Sequence, residues 1–260
     1  MRALHVVVGA GALGRALLKA VASAGHRARL LDVHSVPLQV PLGVEVRRGP
    51  ISSGIWIEEA CAGAQVVYDA LELKGRNGER VRAAVRAGAE ASDARWVRLE
   101  QLEAAQAEDP DERLEGNQAI GRVGDLFGGG WDQGVLSASA LQRLERDRRV
   151  TVPGNPDLPH TWAYLPDVAR ALVTLGGTPA AGAQAWHLPA ADAITTRELL
   201  RLGCEAAGRP GAMPRLTIKQ TGQSQVPFLL EHTRFAEAFG PEAARVTRLE
   251  AAIRAALKGE

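Results

Sequence analysis

The 260-residue sequence is poor in several features, and each shortage excludes a class of protein. Its two cysteines, Cys61 and Cys204, lie far apart, so neither number nor spacing suggests a metal site, and two buried free thiols are expected. No apolar run approaches the roughly 18 residues of a membrane span. With 31 basic and 30 acidic residues, the net charge of +1 gives no general attraction to nucleic acid or anionic lipid.

The N-terminal apolar stretch does not favour a signal peptide. Glycines break it, Arg15 interrupts it, and no convincing small-residue cleavage site follows. The composition is that of a globular protein, with 46% hydrophobic and 23% charged residues. We therefore expect a cytoplasmic protein.

Strand and helix signals alternate through the first half of the chain. Ala3–Val8 is a continuous apolar run ending in glycine, which is typical of a strand buried on both faces. This alternation predicts an α/β fold with a doubly wound parallel sheet, and residues 1–150 as its first domain. The further predicted elements are helices at Ala12–Ala24, Ile55–Ala62, Gly78–Ala89 and Ser137–Arg148, and strands at Arg27–Leu31, Val44–Arg48, Gln65–Tyr68, Arg95–Leu99 and Gln118–Val123.

Residues 151–260 are expected to complete the sheet and to form a small, mostly helical C-terminal lobe. Asp167 is predicted to cap a helix through Leu175, and Thr195 with Glu198 forms a capping-box pattern. Two further helices are predicted at Leu229–Phe239 and Val246–Leu257. Before this region, Ala104–Gly116 is polar and acidic, which predicts a surface loop.

The first predicted turn carries a glycine pattern with a known physical role. Gly9, Gly11 and Gly14 spell G-x-G-x-x-G between a strand and a helix. The three glycines respectively permit a tight turn, the approach of a pyrophosphate to backbone N–H groups, and close packing of the helix on the sheet. Asp32 ends the next strand, where a carboxylate accepts hydrogen bonds from the adenosine ribose and repels a 2′-phosphate. The pattern predicts that residues 1–150 are a dinucleotide-binding domain of the Rossmann type, with NAD favoured over NADP, although His34 could soften that preference.

Four other residues complete the predicted cofactor contacts. Ala12 and Leu13 lie inside the glycine loop, at the start of the first helix. Ala70 and Leu71 follow the fourth predicted strand, at the carboxyl edge where ligands bind such sheets.

Several later segments, taken with the glycine loop, resemble the NAD-dependent epimerase/dehydratase branch of the extended short-chain dehydrogenases/reductases. They are HTWAYLPDVARALVTLG at His160–Gly177, AWHLP at Ala185–Pro189, TTRELL at Thr195–Leu200 and TRFAEAFG at Thr233–Gly240. The resemblance covers nearly the whole chain. It implies a Rossmann domain with NAD, a small substrate lobe, and nucleotide sugars or related carbonyl and alcohol compounds as ligands.

The chain departs from this family at the residues that carry its chemistry. The family uses a Ser/Thr and a Tyr-x-x-x-Lys pair, in which tyrosine is the acid/base and lysine holds the nicotinamide ribose. Here Glu100 and Gln101 stand at the serine position, and the only tyrosines, Tyr68 and Tyr164, have no lysine four residues later. The helix that would carry the lysine is also predicted to be missing, which does not favour the family's helix-bundle dimer. After the third strand, where the family often has an aspartate near the adenine, this chain has Pro50 and Ile51.

These departures leave the catalytic residues unknown and two kinds of function open. The first is a nucleotide-binding or regulatory protein that holds NAD(H) without the family's hydride chemistry. The second is an active NAD-dependent oxidoreductase or nucleotide-sugar epimerase with substitute acid/base residues, drawn from Asp69, Glu72 and Lys74 or from Tyr164. A subunit with an empty cleft is a third alternative. Asp125, His160 and His187 are expected to have structural roles.

Overall fold

The computed structural model describes residues 2–32, 40–73, 75–102, 113–219 and 227–259. These residues divide into two compact units, each discontinuous in sequence. The first unit draws on the described residues within 1–100, 111–121 and 169–186, and the second on those within 101–110, 122–168 and 187–260.

The strands and helices follow one another in the order that the hydrophobic pattern predicts for the first half of the chain. The strands are β1 (Leu4–Val8), β2 (Arg27–Asp32), β3 (Glu45–Arg48), β4 (Val66–Asp69), β5 (Arg95–Gln101), β6 (Gln118–Val123), β7 (Asp125–Phe127), β8 (Val150–Pro153), β9 (Pro159–His160), β10 (Trp162–Tyr164), β11 (Gln184–His187), β12 (Ile194–Thr195) and β13 (Leu216–Lys219). The α-helices are α1 (Ala12–Ser23), α2 (Gly54–Cys61), α3 (Gly75–Ala91), α4 (Ala138–Glu145), α5 (Leu165–Gly177), α6 (Thr196–Ala206), α7 (Thr233–Phe239) and α8 (Leu249–Leu257).

Seven of the strands form one sheet in the order β11-β6-β5-β4-β1-β2-β3. The pairings of β1 with β2 and β4, of β2 with β3, and of β4 with β5 are all parallel. The first six strands thus have the 3-2-1-4-5-6 order of a doubly wound dinucleotide-binding sheet. The predicted fold class is confirmed.

The core of the first unit explains why these strands lie in the middle of the sheet. All five residues of β1 are buried, as expected for a strand covered on both faces. Val6 and Val8 belong to a cluster with Ile57 of α2 and Val85 of α3. Gly88 brings α3 close to α2, because a Cβ there would lie 2.8 Å from the Ile57 Cγ2 atom.

Two predicted features of the C-terminal half are wrong in detail. The helix predicted at Leu229–Phe239 begins at Thr233. Phe228 and Leu230 are buried instead, and their backbones hydrogen-bond Thr161: its N–H donates to the Phe228 carbonyl, and the Leu230 N–H donates to its Oγ1. These bonds to a neighbouring extended segment compete with a helical turn.

Asp167 does not cap its helix, because α5 begins at Leu165 and places Asp167 in the first turn. Its carboxylate accepts hydrogen bonds from the Thr247 N–H at 2.6 Å and the Thr247 Oγ1 at 2.9 Å. The Thr195 cap is confirmed, since its Oγ1 accepts the Glu198 N–H at 3.1 Å. Most of the predicted surface loop at Ala104–Gly116 lies outside the described residues.

Cys61 and Cys204 are buried free thiols, as predicted. Burial raises the pKa of the Cys61 thiol to about 11, so this thiol is unreactive at neutral pH. Among the described helices, none is long and apolar enough to cross a membrane.

Candidate functional site

The candidate site is built on the turn between β1 and α1. Gly9 has φ of +104°, a conformation that residues with a side chain rarely adopt. Its N–H donates to the Leu31 carbonyl at 2.9 Å, which holds the turn against β2. A Cβ at Gly9 would lie 2.9 Å from the Ala70 carbonyl oxygen. Glycine is therefore required here both by the backbone angle and by the neighbouring main chain.

Gly14 and Gly11 differ in what surrounds them. A Cβ on Gly14 would overlap the backbone carbonyl of Gly9, so only glycine lets α1 start this close to the turn. A Cβ on Gly11, the N-cap residue of α1, would overlap a carboxylate oxygen of Glu72. Ala12 and Leu13 are buried in the first turn of α1. The first-turn N–H groups give this end of the helix a partial positive charge.

Asp32 lies at the end of β2 and is 2% exposed. The residue in register with it on β3 is Arg48, a neighbour that the sequence pattern did not indicate. Because arginine binds phosphate well, a cation on the adjacent strand acts in favour of the 2′-phosphate of NADP. His34 lies outside the described residues.

Ala70 and Leu71 lie against the glycine turn, as their place after β4 predicts. The Ala70 N–H donates to the Val8 carbonyl at 3.0 Å, and Ala70 is buried. The Leu71 N–H donates to Asp69 Oδ1 at 3.1 Å. This chain of bonds fixes the backbone path that leads from β4 past the turn.

The Asp69 carboxylate stabilises this backbone path through its bond to the Leu71 N–H. It is 5% exposed and pairs with Arg82, whose Nε lies 3.1 Å from Oδ2. Burial raises its pKa above the usual range, while the Leu71 N–H and Arg82 act in the opposite direction. Lys74, the third member of the predicted acid/base set, lies outside the described residues.

Glu72 is the one residue of that set whose carboxylate reaches the glycine turn. Its Oε1 accepts the N–H of Ala12, the first residue of α1, at 3.0 Å. Sixty residues separate the two in sequence. The sequence places Glu72 after β4, but it does not show that the side chain turns back to the helix.

Tyr68 is committed to the core of the first unit. It is 1% exposed, and its hydroxyl hydrogen-bonds His5 Nδ1 at 2.9 Å. Burial raises the pKa of its phenol far above the usual value, which disfavours the phenolate. Burial and the neighbouring His26 lower the pKa of His5 to about 4, so this histidine is neutral at physiological pH. The pair is a structural one.

In the second unit, Asp125 and His160 form a hydrogen-bonded pair with Nδ1 and Oδ2 3.1 Å apart. The His160 ring also contacts Trp162 and Phe228, at centroid distances of 5.8 and 6.3 Å. A carboxylate on one ring nitrogen orients an imidazole and leaves the other nitrogen for proton transfer. Tyr164 packs on Phe127 with ring centroids 5.5 Å apart.

His187 is a core histidine, as expected, but its two nitrogens differ. Nδ1 bonds the Glu231 carbonyl at 3.0 Å, whereas Nε2 is buried without a hydrogen bond among the described residues. Burial lowers the pKa of this imidazole. In the part of the chain that the structure describes, no group of three His, Cys, Asp or Glu side chains is arranged to hold a metal.

The doubly wound sheet and the glycine turn define a Rossmann-type fold. No protein-family model and no curated protein sequence matches this chain. Solved structures do match, and several of them are described as nucleotide-sugar epimerases or as a dehydratase.

One similar structure is the Bordetella bronchiseptica enzyme WbmH in complex with NAD+, with a TM-score of 0.76 and 16% identity over 100% of this chain and 98% of that one. A UDP-glucose 4-epimerase from Thermotoga maritima with UDP-glucose has a TM-score of 0.77 at 13% identity, covering 98% of both chains. The NAD-dependent NDP-hexosamine 5,6-dehydratase TunA has a TM-score of 0.75 at 14% identity, covering 99% of this chain and 97% of its own. The predicted resemblance is confirmed at the level of the fold.

Proposed function

We propose that this chain binds NAD(H) at the β1–α1 turn and lacks the tyrosine–lysine hydride chemistry of the enzymes whose fold it shares. The observation that carries the proposal is the turn itself, in which Gly9 and Gly14 are required by close backbone contacts beside the N-terminus of α1. That arrangement suits a pyrophosphate. NAD is favoured because WbmH is described in complex with NAD+ and TunA as NAD-dependent.

Each predicted site residue has a defined task in this proposal. Backbone N–H groups between Gly11 and Gly14 hold the pyrophosphate, and Asp32 accepts hydrogen bonds from the adenosine ribose. Ala70 and Leu71 flank the turn. Bound NAD would supply a hydride acceptor, but neither tyrosine is followed by a lysine that could hold the nicotinamide ribose. Residues that hold NAD(H) without a tyrosine–lysine pair fit a nucleotide-sensing or regulatory role in the cytoplasm. A nucleotide sugar is the second class of ligand in this proposal.

We expect NAD to bind at least about tenfold more tightly than NADP, a difference of about 1.4 kcal/mol. The Asp32 carboxylate ends β2 and would repel a 2′-phosphate. Calorimetric titration of both cofactors checks this, and the Asp32→Ser variant should show a smaller difference between its affinities for NAD and NADP. Equal or tighter NADP binding would contradict the role of Asp32 and would indicate that Arg48 binds the 2′-phosphate.

We expect ADP-ribose to bind within about tenfold of NAD. With no tyrosine–lysine pair, the nicotinamide half adds few fixed contacts, and hydrogen bonds to exposed groups contribute little net free energy. Competition between NAD, ADP-ribose and ADP measures the contribution of each half. If NAD bound more than about 100-fold more tightly than ADP-ribose, a difference of roughly 2.7 kcal/mol, the nicotinamide pocket would be intact and an enzyme would be favoured.

The Asp125–His160 pair supports a second candidate function, an active oxidoreductase or epimerase with a substitute acid/base group. The pair lies in the second unit, with the histidine side chain 21% exposed. Turnover of a nucleotide sugar that is lost in His160→Asn but kept in a Tyr164→Phe control would establish this alternative.

A further inference from the structure

Glu72 occupies the place that the glycine turn offers to a phosphate. Its Oε1 accepts the Ala12 N–H at 3.0 Å and overlaps the position of a Cβ on Gly11. In the dinucleotide fingerprint, the second glycine is there so that the pyrophosphate can approach the backbone closely. In this chain a carboxylate of the protein itself lies in that approach.

The position of Glu72 is set by the backbone on its N-terminal side. The Ala70 N–H bonds the Val8 carbonyl, and the Leu71 N–H bonds the Asp69 carboxylate, which is paired in turn with Arg82. These bonds fix the backbone beside the glycine turn, and the side chain of the next residue, Glu72, therefore lies against the start of α1. Glu72 itself is exposed, so its carboxylate can turn away into solvent without disturbing the core.

A helix N-terminus attracts one anion strongly and a second one poorly. The first-turn N–H groups and the helix dipole favour negative charge there, and two anions on the same groups repel each other. A dinucleotide that uses the Ala12 N–H must therefore displace the Glu72 carboxylate. Adenosine, which carries no phosphate, requires no such displacement.

We propose that Glu72 is a specificity-determining residue that competes with the ligand's phosphates for the N-terminus of α1. This inference rests on the proposed dinucleotide site and adds a property to it. Glu72 weakens every phosphate-bearing ligand of the site and leaves phosphate-free adenosine unaffected. The glycine turn thus binds its ligand with less affinity than its backbone geometry alone would allow.

The test compares Glu72→Gln and Glu72→Ala with the wild type by calorimetric titration of NAD, ADP-ribose and adenosine. Glu90→Gln is the matched control, because it removes the same charge from the first unit. Glu90 is exposed and lies in the last turn of α3, a helix that leads from the carboxyl end of β4 to the amino end of β5, away from the glycine turn. Glu72→Gln keeps the size of the side chain, and Glu72→Ala removes it.

We expect both Glu72 variants to bind NAD and ADP-ribose at least about tenfold more tightly than the wild type. Adenosine affinity should change by less than about twofold, and Glu90→Gln should match the wild type with all three ligands. The melting temperature of the ligand-free Glu72→Ala variant should fall slightly, since α1 loses a favourable carboxylate.

Two different failures are distinguishable. If the wild type and both Glu72 variants bind NAD equally, or if adenosine affinity rises as well, Glu72 does not compete with phosphate, and the proposed dinucleotide site stands. If none of the four proteins binds NAD or ADP-ribose, the dinucleotide site and the inference are both wrong.

Discussion

Gly14→Ala is expected to lower the free energy of unfolding by about 1–3 kcal/mol, whereas Gly11→Ala should change it by less than about 1 kcal/mol. The added methyl group on Gly14 would overlap the Gly9 carbonyl, and Gly9 is itself held by its bond to Leu31. The methyl group on Gly11 would meet only the end of the exposed Glu72 side chain. Gly11 already has φ of −62°, which alanine adopts without strain.

The two variants should be alike in ligand binding and different in stability. Both should weaken NAD at least about tenfold: Gly14→Ala shifts the helix start, and Gly11→Ala places a methyl group where the pyrophosphate approaches. Urea denaturation measures the stabilities, and calorimetry measures the affinities. Equal loss of stability in both variants, or undiminished NAD binding by Gly11→Ala, would contradict the assigned roles of the two glycines.

With nucleotide sugars and NAD or NADH, turnover is expected to lie at least about 10²-fold below the ordinary enzyme range of roughly 1–10³ s⁻¹. The Tyr68 phenol is bonded to His5 in the core, and burial raises its pKa, so it is unsuited to proton transfer. The Asp69 carboxylate is paired with Arg82, and Glu72 bonds the start of α1. Tyr68 and the candidate acid/base residue Asp69 are thus engaged in contacts inside the first unit, and the candidate Glu72 is engaged with the N-terminus of α1.

The assay follows net oxidation or reduction by the absorbance of the reduced nicotinamide. Epimerisation, which causes no net change of the cofactor, is followed by separating the sugar products, with a solved epimerase of the same fold as the positive control. Turnover of about 1 s⁻¹ or faster would contradict the proposal. A slow rate would then be tested in Asp125→Asn and His160→Asn, which separate a contribution of this pair from a background reaction.

The fold was predictable because its signals are local and repeated. The strand β1 is a continuous buried run that ends beside Gly9, and the glycine spacing lies directly between β1 and α1. Asp32, Ala70 and Leu71 could be placed because parallel strands end at one edge of the sheet. Such inferences require only the order of elements.

The site's side-chain contacts were not predictable, because they join residues far apart in sequence. Glu72 bonds Ala12 across 60 positions, and Asp125 bonds His160 across 35. The predicted helix start near Leu229 was wrong for a related reason: bonds from Thr161 hold that segment extended despite its helical pattern. Tertiary hydrogen bonds decided each case.

Calorimetric titration of ADP-ribose into the wild type, Glu72→Gln and Gly11→Ala proteins tests the central claim most directly. ADP-ribose carries the pyrophosphate and adenosine ribose that the glycine turn and Asp32 are proposed to hold, and nothing that depends on a nicotinamide pocket. The account predicts saturable binding of one ligand per chain, tighter in Glu72→Gln and weaker in Gly11→Ala than in the wild type. No binding to any of the three proteins, or equal binding to all three, would contradict it.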